Sequence, residues 1–151
     1  MIKRQLVFVC ILCIFLVFLV GCTSKDSSAR NRIKDLTEIN VPLNSEIVYH
    51  HHAGDNHFFP VPGRRSQYTV FKFEEKPLDF LSEHSFQEER NEDFEWEYDS
   101  RFESYKRASS VPDEYCVNWD EPYLYLEISD SAIYFIYIIE SNYLIVFISG
   151  T

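Results

Sequence analysis

Four of the chain's five histidines fall between residues 50 and 57, as His50, His51, His52 and His57, and Asp55 lies among them. These are the only densely grouped metal-ligand types. On a strand, His50 and His52 would point to the same side, and a turn after Ala53 could bring Asp55 or His57 back toward them. Imidazole nitrogen with carboxylate oxygen suits zinc, copper or nickel. The spacing matches no established zinc signature such as His-Glu-x-x-His. Two readings follow: a metal site on His50, His52, Asp55 and His57, or ordinary histidines at the edge of a loop.

Nucleophiles are scarcer. Cys116, in Asp113-Glu114-Tyr115-Cys116-Val117, lacks a neighbouring base of the kind that would lower its pKa. Ser109 and Ser110 have no Gly-x-Ser-x-Gly elbow and no Ser-x-x-Lys pair around them. Gly63-Arg64-Arg65-Ser66 is a basic doublet that reads as a solvated turn, with anion capture as the sharper option. With four glycines in the chain there is no phosphate-cradling loop. No enzymatic activity is expected, and a small extracytoplasmic enzyme is kept only as an alternative.

The strongest chemical signal lies at the N-terminus. Lys3 and Arg4 precede an uninterrupted apolar run from Leu6 to Val20, the layout of an exported leader. At 1.5 Å per residue the run spans about 22 Å, short of the ~30 Å core of a bilayer, so a retained anchor is the weaker reading. The run closes in Leu19-Val20-Gly21-Cys22, which resembles a bacterial lipobox. The whole chain is similar in layout to small surface lipoproteins of Gram-positive bacteria. That resemblance implies removal of residues 1–21 and a diacylglyceryl thioether on Cys22, holding the protein to the outer side of the cell membrane. Two acyl chains supply the double anchorage that one chain cannot. No other cofactor is expected.

Cysteine usage fits this scheme. Cys10 and Cys13 would leave with the leader and Cys22 would carry lipid, so Cys116 alone stays free and no internal disulfide can form. After Cys22 the stretch Thr23 to Asn31 is small and polar with no apolar period. It reads as a flexible tether, with 22–32 the lipidated cysteine and leash and 33–151 a single globular domain. Without Lys3 and Arg4, 12 basic residues face 24 acidic ones. Nucleic acid is a poor partner for that balance, and contact with the membrane is expected only through the lipid. The acids concentrate between Glu83 and Glu103, where the absence of glycine argues against a calcium loop and a solvated helix face is the expectation.

The elements that must position these groups read as α+β. Ile33 to Ile39 suggests a weak helical turn. Ile47 to His52 and Gln67 to Phe73 are rich in β-branched and aromatic residues and read as strands. Pro77 opens a short helix, Leu78 to Glu83. Ser85 with Glu88 resembles a capping box for a longer helix, whose stripe is Phe94, Tyr98, Phe102 and Tyr105. Phe94-Trp96-Tyr98 also alternates, so a strand competes there. Tyr123 to Ile128, Ile133 to Ile139 and Tyr143 to Ile148 form a C-terminal three-stranded meander. The expected fold is an antiparallel sheet of about five strands with two helices inserted between strands 2 and 3. Both helices would cover one face, leaving the other to the N-terminal segment with Phe58-Phe59, or to a partner.

Aromatic residues are the remaining lead, with 13 Phe, 10 Tyr and 2 Trp. Tyr123, Tyr125, Tyr134 and Tyr143 could form a row across the meander, either as core and core margin or as an exposed patch that meets a protein partner. Three functions are consistent with these residues. They are a tethered binding or interaction module, a metal-binding lipoprotein using the histidine cluster, and a small enzyme.

Overall fold

The computed structural model describes residues 23–53 and 66–150. These fall into two compact units, one up to Asn40 and one from Val41 onward. In the first, α1 spans Thr23–Thr37. Helix therefore runs through the stretch expected to be an irregular leash. Ala29 and Ile33, one turn apart, are both buried, and Asp26 and Arg30 pair their charges at the same spacing. Two small apolar positions are too few to register as a period in the sequence, yet they suffice to mark a face. Thr37 ends the helix by donating its hydroxyl to the Ile33 carbonyl at 2.7 Å, and Glu38 follows with a φ of 62°.

The second unit carries a five-stranded antiparallel sheet in the order β1-β2-β5-β4-β3. Its strands are β1 Ser45–His52, β2 Gln67–Phe73, β3 Tyr123–Ile128, β4 Ile133–Ile138 and β5 Tyr143–Ile148. Between β2 and β3 lie α2, Leu78–Glu83, and α3, Glu92–Ser109. This connection takes the chain to the far edge of the sheet. The meander then returns strand by strand until β5 pairs with β2. Asn142, with a φ of 55°, supplies the left-handed residue at the β4–β5 turn, a conformation asparagine tolerates well.

Register assigns each side chain to a face. Tyr68, Tyr134, Phe147, Tyr123 and Tyr125 lie together, and α3 covers them with Phe94, Tyr98, Phe102 and Tyr105. Trp96 is 74% exposed, so the ring residues follow the helical period and not the strand alternation. On the opposite face Phe71, Phe73, Phe135, Tyr137, Leu144 and Val146 are fully buried. The two helices do not share a face, as the sequence had suggested. Phe80 of α2 packs on Phe86, which meets Phe135 edge-on at 6.4 Å, so α2 serves the face away from α3. The expected cover from Phe58-Phe59 lies outside the described residues.

The long helix also starts later than its sequence suggests. Ser85 adopts a φ of 55° and is not a cap; Asn91 is, accepting the Phe94 N–H at 3.1 Å. The intervening residues are held by the sheet instead. Gln87 exchanges two backbone hydrogen bonds with Tyr125 at the β3 edge, 2.8 and 3.0 Å long. Two strong bonds to a strand outweigh the modest gain from a capping box.

Candidate functional site

The histidines of β1 are sorted by a bulge. Val48 is the extra residue, because Ile47 pairs with Phe71 while Tyr49 pairs with Val70. As a result His50 and His52 face one way, opposite Thr69 and Gln67, and His51 faces α3. His50 Nδ1 lies 2.9 Å from the Thr69 hydroxyl. His51 Nδ1 lies 2.7 Å from the Tyr105 hydroxyl, which itself donates to the His51 carbonyl at 3.0 Å. The one phenol hydroxyl thus lies within hydrogen-bond reach of both the ring nitrogen and the carbonyl of His51 and ties β1 to α3. Asp55 and His57 lie outside the described residues. Among the described residues no three His, Cys, Asp or Glu side chains converge to hold a metal ion.

The four tyrosines Tyr123, Tyr125, Tyr134 and Tyr143 do occupy one face of the meander. That face is the one under α3. Tyr123, Tyr125 and Tyr134 are buried, and Tyr143 is half-buried. Of the two readings the sequence allows, an exposed row or a core layer, the row is an internal layer, because the amphipathic helix has to bury its own ring stripe and these phenols are its counterpart. Each buried hydroxyl has a partner. Tyr123 donates to Glu95 Oε1 at 2.7 Å, Tyr125 to Gln87 Oε1 at 2.7 Å and Tyr134 to Glu97 Oε1 at 3.3 Å. Burial, aided by the neighbouring carboxylates, pushes the phenols of Tyr123 and Tyr134 up to about 12.

Cys116 is half-buried, with its thiol 3.4 Å from the Pro112 carbonyl. Burial raises its pKa, and Lys106 nearby only partly opposes the rise. The thiol is therefore held protonated near neutral pH, the unreactive condition for a cysteine. Ser109 sits at the end of α3 and Ser110 is its left-handed cap.

A concave surface opens at the start of β3, with a volume of about 470 Å³. Trp119, Arg90 and Tyr123 form the wall on the α3 side. Leu124 and Ile139, which alternate to the other face, form the opposite wall together with Lys76. Glu88, Asp120 and Glu121 rim the groove. Its parts are fixed locally. Asn118 organises the turn before Pro122, accepting the Asp120 N–H at 3.2 Å and donating to Glu121 at 3.1 Å. Trp119 donates its indole N–H to Asp99 at 3.0 Å and sets its ring edge-on to Phe94, Tyr98 and Tyr123.

Glu95 anchors the other side. Its carboxylate accepts the Nη2–H of Arg90 at 3.1 Å and the Tyr123 hydroxyl at 2.7 Å, and lies 2.9 Å from Arg90 Nε in an ion pair. This charge-assisted pair holds the guanidinium at the groove wall. Burial raises the Asp99 pKa above the usual carboxylate value, and the nearby Glu103 and Glu95 add to the rise. The sequence reading missed Arg90, Trp119 and Lys76. The available signal was Trp119 in a polar turn, Asn118-Trp119-Asp120-Glu121-Pro122, directly before a strand.

No protein-family model matches the chain, no curated protein matches it, and no solved structure matches it. Among the described residues no helix is long and apolar enough to cross a membrane.

Proposed function

We propose that this chain is a lipid-anchored binding module on the outer side of a bacterial cell membrane. The address is supported by the leader Leu6 to Val20 ending at Cys22, and by a remaining chain with one free cysteine and a strongly acidic balance. The observation that carries the binding reading is the groove beside β3. It is concave, lined by one tryptophan and a few charges, and its Trp119 and Arg90 are each held by a carboxylate of α3. Such a preformed surface binds without having to order itself first. The partner is a protein or peptide, since the charge of the exported part repels nucleic acid.

Two measurements test this reading. Mass spectrometry of protein recovered from its host should show a chain beginning at Cys22 with a diacylglyceryl group on sulfur; an intact Met1 with an unmodified Cys22 overturns the anchor. A photo-crosslinking residue at Lys76, used on intact cells, should trap a discrete adduct that the same residue at exposed Trp96 does not. Equal labelling from both positions would remove the groove from the function.

A further inference from the structure

Among the described residues, the hydrogen bonds of β3 leave the outward backbone groups of Tyr123, at the start of its outer edge, unused. The Ile139 N–H donates to the Pro122 carbonyl at 3.1 Å, which makes 122 and 139 a hydrogen-bonded pair. By alternation Leu124, Leu126 and Ile128 then bond inward to β4, while Tyr123, Tyr125 and Glu127 turn their backbone groups outward. Tyr125 confirms the phase, because both its groups are taken by Gln87. Beyond Gln87 the chain leaves the edge, and Glu88 and Arg90 line the groove. The outward N–H and C=O of Tyr123 make no hydrogen bond among the described residues. Unpaired edge groups beside a cleft are the template for an added strand.

Resting on the binding reading above, we propose that the groove takes a short, neutral, extended peptide whose central residue pairs with the backbone of Tyr123. The length is bounded on both sides. Gln87 occupies the edge at Tyr125, and Pro122 with the Asn118 turn closes it at the other end. About three residues fit at ~3.3 Å each. A residue opposite Tyr123 places its side chain on the Trp119 and Arg90 side, and its two neighbours fall on the Leu124 and Ile139 side. Apolar residues are favoured at those flanking positions. Two cations and three carboxylates line the groove of a chain that elsewhere has far more acids than bases, so local charge is nearly balanced and an uncharged backbone is not repelled.

The test uses the full chain, nitrogen-15 labelled in detergent micelles, titrated with acetyl-Leu-Ala-Leu-amide and with its twin methylated on the central amide nitrogen. The first peptide should shift the Tyr123 and Leu124 amides and the Trp119 indole resonance, and should slow exchange of the Tyr123 N–H. The methylated twin cannot donate to the Tyr123 carbonyl and should bind about tenfold more weakly. Equal binding of the two peptides would mean apolar adsorption and overturn the added strand. So would shifts centred on another surface, or none up to about 10 mM peptide. Protection of Tyr123 that grows with protein concentration alone would assign the edge to a second copy of the chain and equally overturn the proposal. Because the crosslinking from Lys76 asks for no particular partner, a failed peptide titration with a positive crosslink would sink this ligand and leave the binding module standing.

Discussion

The two faces of the sheet are both buried, but by different chemistry. Under α3 the layer is built from phenols: Tyr68, Tyr98, Tyr105, Tyr123, Tyr125 and Tyr134 are all buried, and each hydroxyl is hydrogen-bonded. On the other face Phe71, Phe73, Phe135, Leu144 and Val146 carry no polar atom; Tyr137 is its one buried phenol, bonded to Asn142 at 2.6 Å, and the buried Thr69 hydroxyl meets His50 and Gln67 at the β1 end. Apolar packing tolerates rearrangement if volume is kept. A phenol layer does not, because a displaced ring strands a hydroxyl. The α3 face therefore fixes the place of the helix over the sheet, and with it the Glu95–Arg90 pair and Trp119 that build the groove.

Alkali should separate the faces most strongly. An unfolded phenol ionises near pH 10. In the fold Tyr123 and Tyr134 are raised to about 12, first by burial, and Tyr68, Tyr98 and Tyr105 are also raised, again chiefly by burial. A raised folded pKa contributes stability in full below pH about 10, lost as pH climbs through 12. Circular dichroism and phenolate absorbance followed together should show several tyrosines ionising in the same step that unfolds the chain. Stepwise ionisation without unfolding would show that the α3 face is not sealed.

Truncation comes next. Phe102→Ala removes a ring stacked on Tyr68 and Tyr98, at 4.9 and 5.3 Å, and should cost about 3–5 kcal/mol in urea unfolding. Leu144→Ala, on the other face, should cost about 2–5 kcal/mol by the same cavity mechanism. Only the first should also disturb the Trp119 resonance, through Tyr98.

Deleting single oxygens sharpens the contrast. Tyr68 donates to the Tyr115 carbonyl at 2.7 Å and accepts from Tyr98 at 3.4 Å, so Tyr68→Phe strands two groups and should cost about 1–3 kcal/mol. Tyr137→Phe breaks one bond beside a turn and should cost about 1 kcal/mol or less. If the two losses prove equal, the phenol layer has no special status.

The smallest effect is a gain. Asp99 has a raised pKa, so its ionised form is disfavoured in the fold at neutral pH, and the penalty fades as pH falls below that raised value. Asp99→Asn keeps an oxygen for the Trp119 N–H and should stabilise by a few tenths of a kcal/mol at pH 7, less in salt and nothing in acid. Thermal melts at pH 7 and pH 3 would show it.

Several elements were legible because their periods are strong. Gln67 to Phe73, Leu78 to Glu83 and the three runs of the meander coincide with β2, α2 and the last strands within a residue, since alternation, a continuous apolar run between polar turns, or a helix-opening proline marks each one. The stripe Phe94, Tyr98, Phe102 and Tyr105 likewise named the buried side of α3. What misled was local chemistry that a distant strand overrode. Ser85 and Glu88 resemble a cap, but Gln87 is claimed by Tyr125, far along the chain. The bulge at Val48, which decides where His50, His51 and His52 point, has no signature in Ile47-Val48-Tyr49.

Composition, charge and hydropathy by themselves determined the class of the fold and most of the segments that avoid water, because burial and periodicity are properties of a segment. Which residues meet was decided only by the folded chain. Whether Tyr123 faces solvent or the core was open until α3 was seen to cover it, and Arg90, Trp119 and Lys76 come together at a groove although no local pattern joins them. Pairing between strands and the seat of a helix on a sheet depend on long-range register, and register is a property of the whole sheet.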